Sequence, residues 1–170
     1  VPTVENGGIS EDGLTYTFQL REGLLWSDGT PLVAQSFVDA ARRLFAPGAP
    51  NQYADFYRVL ASDGPDGDAN VAYQAAVAAG TEGAELNELA QQVADGLRVE
   101  APDDRTVVYH LNRQSPVFPL LASLWPLYPV RQDLVDAHGE QWTEARTHIG
   151  NGPFRLAVWE HGQRVRLERN

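Results

Sequence analysis

The stretch that decides the fold is LREGLLWSDGTPLVAQSFV, which spans residues 20–38. It continues from residues 14–20, where apolar and polar side chains alternate as they do in a half-buried β-strand. Asp28-Gly29 is typical of a tight turn, and apolar positions at helical spacing follow it. The stretch therefore predicts a strand end, a turn and a helix start around one tryptophan, and it holds no catalytic constellation.

Apolar periodicity and turn residues predict the remaining elements of the chain. Helices are expected near residues 52–60, 69–79, 85–95, 116–125 and 131–138, and strands near residues 97–101, 105–112, 154–158 and 165–167. The expected apolar face of the first of these helices comprises Tyr53, Phe56, Tyr57 and Leu60. We predict an α+β fold with a small, mostly antiparallel twisted sheet flanked by several short helices. At 170 residues the chain fits one domain.

The composition narrows the classes of partner. The formal net charge is −10, and all 13 basic residues are arginines. Because an acidic surface repels phosphate groups, nucleic acid and anionic membrane surfaces are disfavoured as partners. The absence of cysteine excludes disulfides, thiolate metal sites and cysteine nucleophiles. No stretch approaches the ~18 apolar residues that would span a bilayer, and Val1 is interpreted as the cut end of a longer protein.

No motif predicts an enzyme, a metal site or a cofactor. The acidic loop at residues 63–70 lacks the Gly and the Glu that an EF-hand requires, so we interpret it as a solvated turn. The four histidines are not spaced along the chain as metal ligands are, and the chain has no cysteine that could complete a metal site. The chain contains no G-x-S-x-G elbow and no phosphate-binding glycine loop. The sequence therefore offers no positive case for catalysis.

Aromatic side chains are the remaining candidates for a binding surface, because they combine a large apolar area with polar edges. For any one of them, a place in the core is the commoner outcome. The candidates are Trp26, Tyr53, Phe56, Tyr57, Trp125, Tyr128, Trp142 and Trp159.

Four blocks of the sequence resemble one family. Residues 12–31 contain DGLTYTFQLR and WSDGTP, residues 99–111 are similar to a D-D-x-T hairpin, residues 116–142 begin with PVF, and residues 151–170 run from NGPF to RVRLERN. These blocks follow the order and spacing of the extracytoplasmic solute-binding proteins of family 5, the oligopeptide- and dipeptide-binding receptors of ABC importers. On this resemblance the chain is identified as a member of that family.

The resemblance implies a two-lobed receptor in the periplasm or on the outer face of the cytoplasmic membrane. Such a receptor closes on a short peptide and delivers it to the permease subunits of the transporter, without catalysis. A leader or lipid anchor outside this chain would be its only link to the membrane. Family members are much longer, so residues 1–170 are expected to be a single-domain fragment of the first lobe. The core of that inserted subdomain is expected at about residues 11–170.

The resemblance also implies ligand-binding positions in this chain. In peptide-binding members a tyrosine that opens the second short helix lies near the bound peptide, and Tyr53 takes that place here. Leu124 and Trp125 match a second segment that borders the pocket, although the histidine that some members have there is absent. At the first helix, Val33 replaces the usual threonine, so we expect Thr30 to begin the helix as its N-cap.

Other functions stay open at this point. The same family includes receptors for nickel, heme and oligosaccharides, and the residues that would separate these ligands lie largely outside this chain. A protein–protein interaction or sensing module would use the same fold without transporting a solute. A leader and a second lobe in the full-length chain would support the receptor, whereas a fused cytoplasmic domain would favour the interaction module.

Overall fold

The computed structural model describes residues 1–45, 53–60 and 68–170. Within those ranges it contains five β-strands, five α-helices and three 3₁₀ helices. The strands are β1 (Thr15–Gln19), β2 (Val99–Asp103), β3 (Thr106–His110), β4 (Phe154–Glu160) and β5 (Arg164–Arg169). The α-helices are α1 (Gln35–Arg43), α2 (Asp68–Ala78), α3 (Ala84–Asp95), α4 (Phe118–Ala122) and α5 (Gln132–His138), and the 3₁₀ helices are Ala54–Leu60, Trp125–Leu127 and Gly139–Thr143.

The central sheet has the strand order β1-β3-β2, and both of its strand pairs are antiparallel. Tyr16 lies opposite Tyr109 and Phe18 lies opposite Val107, so these apolar side chains share one face of the sheet. The pairing of β2 with β3 is irregular around Pro102, which an edge strand tolerates because it has a free side. The small antiparallel sheet of the predicted α+β fold is confirmed.

The hydrophobic core lies against that face of the central sheet. Phe118 of α4 is fully buried, and its ring centroid lies 5.1 Å from that of Tyr16 and 5.3 Å from that of Tyr109. Val38 and Ala41 bring one side of α1 into the same buried cluster. Helices as short as α1 and α4 are marginal in isolation, so this packing is what holds them in place.

The WSDGTP turn forms as predicted, but α1 starts later than expected. Gly29 has a φ of +84°, a left-handed conformation that glycine adopts at little cost, and Trp26 is buried. The prediction that Thr30 is the N-cap is wrong, since α1 begins only at Gln35. The physical reason is that the carboxylate of Asp28 accepts hydrogen bonds from both the hydroxyl and the backbone N–H of Thr30, at 2.7 and 3.0 Å.

The helix predicted near residues 52–60 is the 3₁₀ helix Ala54–Leu60. The predicted shared face is wrong, because Tyr57 and Leu60 are buried whereas Tyr53 and Phe56 are exposed. A 3₁₀ helix has three residues per turn, so residues three apart align and the two pairs separate. Residue 52 and the acidic loop up to residue 67 lie outside the described residues.

A second sheet consists of β4 and β5 alone, paired as an antiparallel hairpin. Simple alternation predicts one shared face for Phe154, Leu156 and Val158. This is wrong for Val158, because the register shifts between Leu156 and Val158 and leaves Trp159 opposite Val165. Among the described residues, none of the helices is long and apolar enough to cross a bilayer.

Candidate functional site

Tyr57 anchors the first candidate segment, the 3₁₀ helix Ala54–Leu60. Its side chain is buried, and its hydroxyl donates a hydrogen bond to the carbonyl oxygen of Leu121 in α4 at 3.0 Å. Burial raises the pKa of the Tyr57 hydroxyl, which keeps the group protonated as a donor. This bond ties the 3₁₀ helix to α4.

The same 3₁₀ helix is also tied to the central sheet. Asn112, just beyond β3, donates from its backbone N–H to the carbonyl oxygen of Val59 at 2.9 Å and from its side-chain amide to that of Arg58 at 2.7 Å. The backbone N–H of Arg98 donates to the carbonyl oxygen of Leu60 at 3.1 Å. These bonds satisfy carbonyl groups at the C-terminal end of the helix and so fix its position.

Leu124 and Trp125 lie where α4 gives way to the 3₁₀ helix Trp125–Leu127. Pro126 has no N–H to bond to the carbonyl four residues earlier, so an α-helix cannot continue through it. The predicted helix over residues 116–125 is accordingly divided, and the backbone at Leu124 is extended, with φ −90° and ψ 156°. Leu127 is buried in the core and holds this short turn in place.

Tyr53, Phe56 and Trp125 form an exposed cluster of rings, which we call the aromatic ridge. The ring of Tyr53 meets that of Trp125 edge-on, with 5.2 Å between centroids, and stacks with that of Phe56 at 6.4 Å. The side chains of Tyr53, Phe56 and Trp125 are 41%, 62% and 58% exposed. Leu124, which precedes Trp125, is half-buried. The structure thus brings together two of the three residues that the sequence singled out, Tyr53 and Trp125.

Phe56 belongs to the ridge, although no pattern in the sequence separates it from the other aromatic candidates. The signal that would have found it is its three-residue spacing from Tyr53. That spacing aligns the two rings in either kind of helix, but the three-residue turn of a 3₁₀ helix also separates them from Tyr57 and Leu60, which the α-helical interpretation placed on the same face.

The aromatic ridge can bind apolar and amide groups. Its ring faces suit apolar side chains, while the indole N–H of Trp125 can donate a hydrogen bond. Its three side chains include no carboxyl, imidazole or amine group. Its chemistry therefore fits recognition rather than acid–base catalysis.

A charged cluster around Arg131 fixes the WSDGTP turn. The guanidinium of Arg131 donates to Asp28 at 2.5 Å and to Asp133 at 2.7 Å, and it lies 6.0 Å from the ring centroid of Trp26. Partial burial alone would raise the pKa of Asp28, but hydrogen bonds from Thr30 and Arg131 and the positive charge of Arg131 outweigh it and hold that pKa at about 2. Because these charges pair with one another, the cluster stabilises the fold.

Histidine and acidic side chains meet only in pairs in the part of the chain that the structure describes, which contains no group of three or more placed to hold a metal ion. His110 of β3 contacts Glu100 of β2 at 2.8 Å. His161, in the turn between β4 and β5, contacts Glu144 at 2.9 Å. Each pair joins two segments of the fold.

Comparison with known proteins identifies the family. Residues 3–170 match the family described as bacterial extracellular solute-binding proteins, family 5 Middle. The chain belongs to this family. The oligopeptide-binding protein OppA of Bacillus subtilis is 30% identical over 163 residues, which make up 95% of this chain and 26% of that relative. The probable deoxycholate-binding periplasmic protein YgiS of Escherichia coli is 30% identical over 167 residues, 98% of this chain and 28% of that relative.

A solved structure shares the fold of this family-5 chain. The structure of Haemophilus influenzae OppA in complex with RPPGFSPFR matches it with a TM-score of 0.72 and 28% identity, covering 95% of this chain and 28% of that one. The family and fold expected from the resemblance are confirmed. The chain spans about a quarter of the length of the relatives it matches.

In this family-5 chain, the residues that carry the resemblance hold the backbone in place. Asp103 accepts hydrogen bonds from the backbone N–H of Arg105 and the hydroxyl of Thr106, both at 2.8 Å, and these bonds lower its pKa. The side-chain amide of Asn170 donates to the carbonyl oxygen of Gly152 at 2.9 Å. Such residues identify the fold without specifying a ligand.

Proposed function

We propose that residues 1–170 form part of the substrate-binding receptor of an ABC transporter that takes up oligopeptides or dipeptides. We further propose that the aromatic ridge, with Leu124 beside it in sequence, borders the ligand cleft. The observation that carries the proposal is the exposed ring contact between Tyr53 and Trp125, which two separately anchored 3₁₀ helices create. Membership of family 5 and the likeness to peptide-binding relatives support the same assignment.

The proposed role of the ridge follows from its construction. A peptide offers amide groups and side chains of varied size, which ring faces and single donors can contact without demanding one sequence. Tyr57 and Leu127 hold the two 3₁₀ helices rigidly, so the rings are positioned before the ligand arrives. Closure on the ligand would need a facing surface from the part of the receptor outside these residues.

The rest of the proposal concerns the whole receptor. Residues 1–170 would form one domain of the first lobe, with its core at about residues 11–170. The receptor would act outside the cytoplasmic membrane, would hand the peptide to permease subunits, and would reach the membrane through a leader or lipid anchor. It would bind and release the solute unchanged.

Titration calorimetry of the full-length receptor with defined short peptides tests this function. The substitution Trp125→Ala should weaken binding about tenfold or more, because truncating an aromatic anchor at an interface commonly costs at least 1–2 kcal/mol. Val77→Ala, which shortens an exposed apolar side chain on α2, is the matched control and should leave the affinity unchanged. Peptide binding that is insensitive to Trp125→Ala would contradict the proposal that the aromatic ridge borders the cleft. An absence of any peptide binding would contradict the proposed function.

A second candidate is a receptor for an apolar non-peptide solute. It is favoured by the relative YgiS, whose name refers to deoxycholate and whose identity to this chain equals that of the Bacillus subtilis OppA. The exposed rings of the ridge would suit a flat apolar ligand as well as a peptide. Deoxycholate belongs in the same calorimetric panel, as do the nickel, heme and oligosaccharide ligands that the family resemblance leaves open.

A further inference from the structure

The hairpin of β4 and β5 places most of its apolar side chains on one face and its ion pairs on the other, where Val158, opposite Arg166, is the apolar exception. Leu156 lies opposite Leu167, and Trp159 lies opposite Val165. Phe154, two residues before Leu156, shares their side of the strand. The register shift between Leu156 and Val158 is what keeps Trp159 on this side, because without the extra residue it would point the other way. We call the side made of Phe154, Leu156, Trp159, Val165 and Leu167 the hairpin apolar face.

The opposite side of the hairpin is suited to water. Glu168 is bonded to Arg155 at 2.9 Å and lies 3.2 Å from Arg166, while Arg164 is bonded to Glu160 at 2.7 Å. The first and the last of these pairs join the two strands, whereas Arg166 and Glu168 both lie in β5, and such ion pairs are ordinary on the solvated side of an antiparallel sheet. The charged side of the hairpin therefore suits contact with water, and the apolar side is the one whose burial would stabilise the hairpin.

The hairpin apolar face is not covered by residues 1–170 in the part that the structure describes. Phe154, Val165 and Leu167 are each more than half exposed, and Trp159 is 37% exposed. A contiguous apolar surface of this kind marks an interaction site. An isolated two-stranded hairpin is also only marginally stable in water and needs a packed face to persist.

We infer that in the folded receptor the hairpin apolar face packs against a part of the same receptor that lies outside residues 1–170. The relatives that this chain matches along nearly its whole length are almost four times longer, so a family-5 receptor has ample additional chain to supply the cover. The covering element presents an apolar face of its own, since the hairpin offers side chains that need burial and few partners for polar groups.

A second copy of the chain is a poorer occupant of this face. Residues 154–169 contain four arginines and two glutamates, and the chain as a whole has a net charge of −10. In a two-fold contact the same surface meets itself, so two hairpins of like net charge, attached to two acidic bodies, would be brought together. Burial within one receptor avoids that repulsion.

Single-cysteine labelling of the full-length receptor tests the inference. Residues 1–170 contain no cysteine, so Val165→Cys, Leu167→Cys and Arg166→Cys each place one thiol in this stretch. The first two report on the hairpin apolar face, and the third is the matched control on the solvent side. The labelling signal of the unsubstituted receptor is subtracted from that of each variant, which removes the contribution of any cysteine outside residues 1–170. A thermal melt verifies that each variant is folded.

The expected result is that Val165→Cys and Leu167→Cys react about tenfold more slowly than Arg166→Cys, or slower still, and that all three react alike in denaturant. This protection should hold without any added solute and in monomeric receptor, so it does not depend on the proposed function. Equal rates at the three positions in folded receptor would overturn the inference.

Protection that is lost on dilution of a dimer would assign the face to a second copy, and protection that arises only with added peptide would assign it to the ligand. Should the cysteine variants fail to fold, fast hydrogen exchange throughout residues 154–169 of the unsubstituted receptor would overturn the inference as well.

Discussion

The two sheets of this chain are both antiparallel, yet their apolar faces end in different places. In the central sheet, Tyr16 and Tyr109 pack against the fully buried ring of Phe118. In the β4–β5 hairpin, Phe154 and Leu167 are exposed although they occupy equally regular positions. Backbone pairing depends on local alternation, whereas burial requires a covering layer. Helices α1 and α4 form that layer on the central sheet, whereas none of the described residues 1–45, 53–60 and 68–170 forms one over the hairpin.

Two exposed apolar surfaces thus have different explanations. The aromatic ridge consists of rings with polar edges, mounted on the buried anchors Tyr57 and Leu127. The hairpin apolar face is mostly aliphatic and lies on a bare two-stranded sheet. The first suits a solute that comes and goes, and the second suits a permanent contact within the receptor.

The largest expected effect compares the two sheets directly. Phe118→Ala should lower the free energy of unfolding by about 3–5 kcal/mol, because it removes a buried ring and leaves a cavity. Phe154→Ala is the matched control, and in residues 1–170 alone it should cost less than about 1 kcal/mol since its ring is already exposed. Urea unfolding of both variants measures the difference. A cost at Phe154 equal to that at Phe118 in this piece would mean that the hairpin is covered within it.

Ion pairs should also differ in their contribution to stability, and the partly buried pair of Asp28 with Arg131 should contribute more than the pairs on the hairpin. Asp28→Asn removes the charge that Arg131 and Thr30 bind, and at pH 7 it should cost about 1–3 kcal/mol. The folded pKa of Asp28 is about 2, below its ordinary value of 3.8. The stabilisation is therefore fully present above about pH 4 and is lost as the pH falls through 2. Unfolding measured across this range should show the wild type and Asp28→Asn converging in acid, and a constant difference would contradict the assignment.

The smallest effect is expected on the solvent side of the hairpin. Glu168→Gln removes the charged partner of Arg155 and Arg166. Both arginines are exposed and Glu168 is only half-buried, so the cost should stay below about 1 kcal/mol. Urea unfolding in low and high salt measures it, with Asp28→Asn as the reference. A larger loss from Glu168→Gln than from Asp28→Asn would show that the charged side of the hairpin is buried in the receptor.

Much of this fold could be predicted from the sequence, because it depends on local patterns. Alternation at residues 14–20 predicts β1, and Asp28-Gly29 predicts the turn that follows. The start of α1 could not be predicted. The hydroxyl of Thr30 donates a hydrogen bond to Asp28, and this bond depends on how the turn folds, which the local sequence does not reveal. The strand face that includes Trp159 depends on one register shift that alternation alone does not reveal.

The candidate site was harder to predict than the fold. Only the family resemblance points to Tyr53 and Trp125, and nothing in their local sequence indicates that their rings meet. That contact depends on the 3₁₀ geometry of two segments far apart in the chain, each fixed by a buried neighbour. The role of all three predicted positions in ligand binding, including Leu124, stays a prediction.

Hydrogen exchange of the full-length receptor, with and without a peptide that binds it, tests the central claim most directly. Residues 53–60 and 123–128, which carry the aromatic ridge, should exchange more slowly when peptide is added. Residues 154–169 should be protected to the same degree in both conditions. An unchanged rate at both ridge segments under saturating peptide would contradict the account.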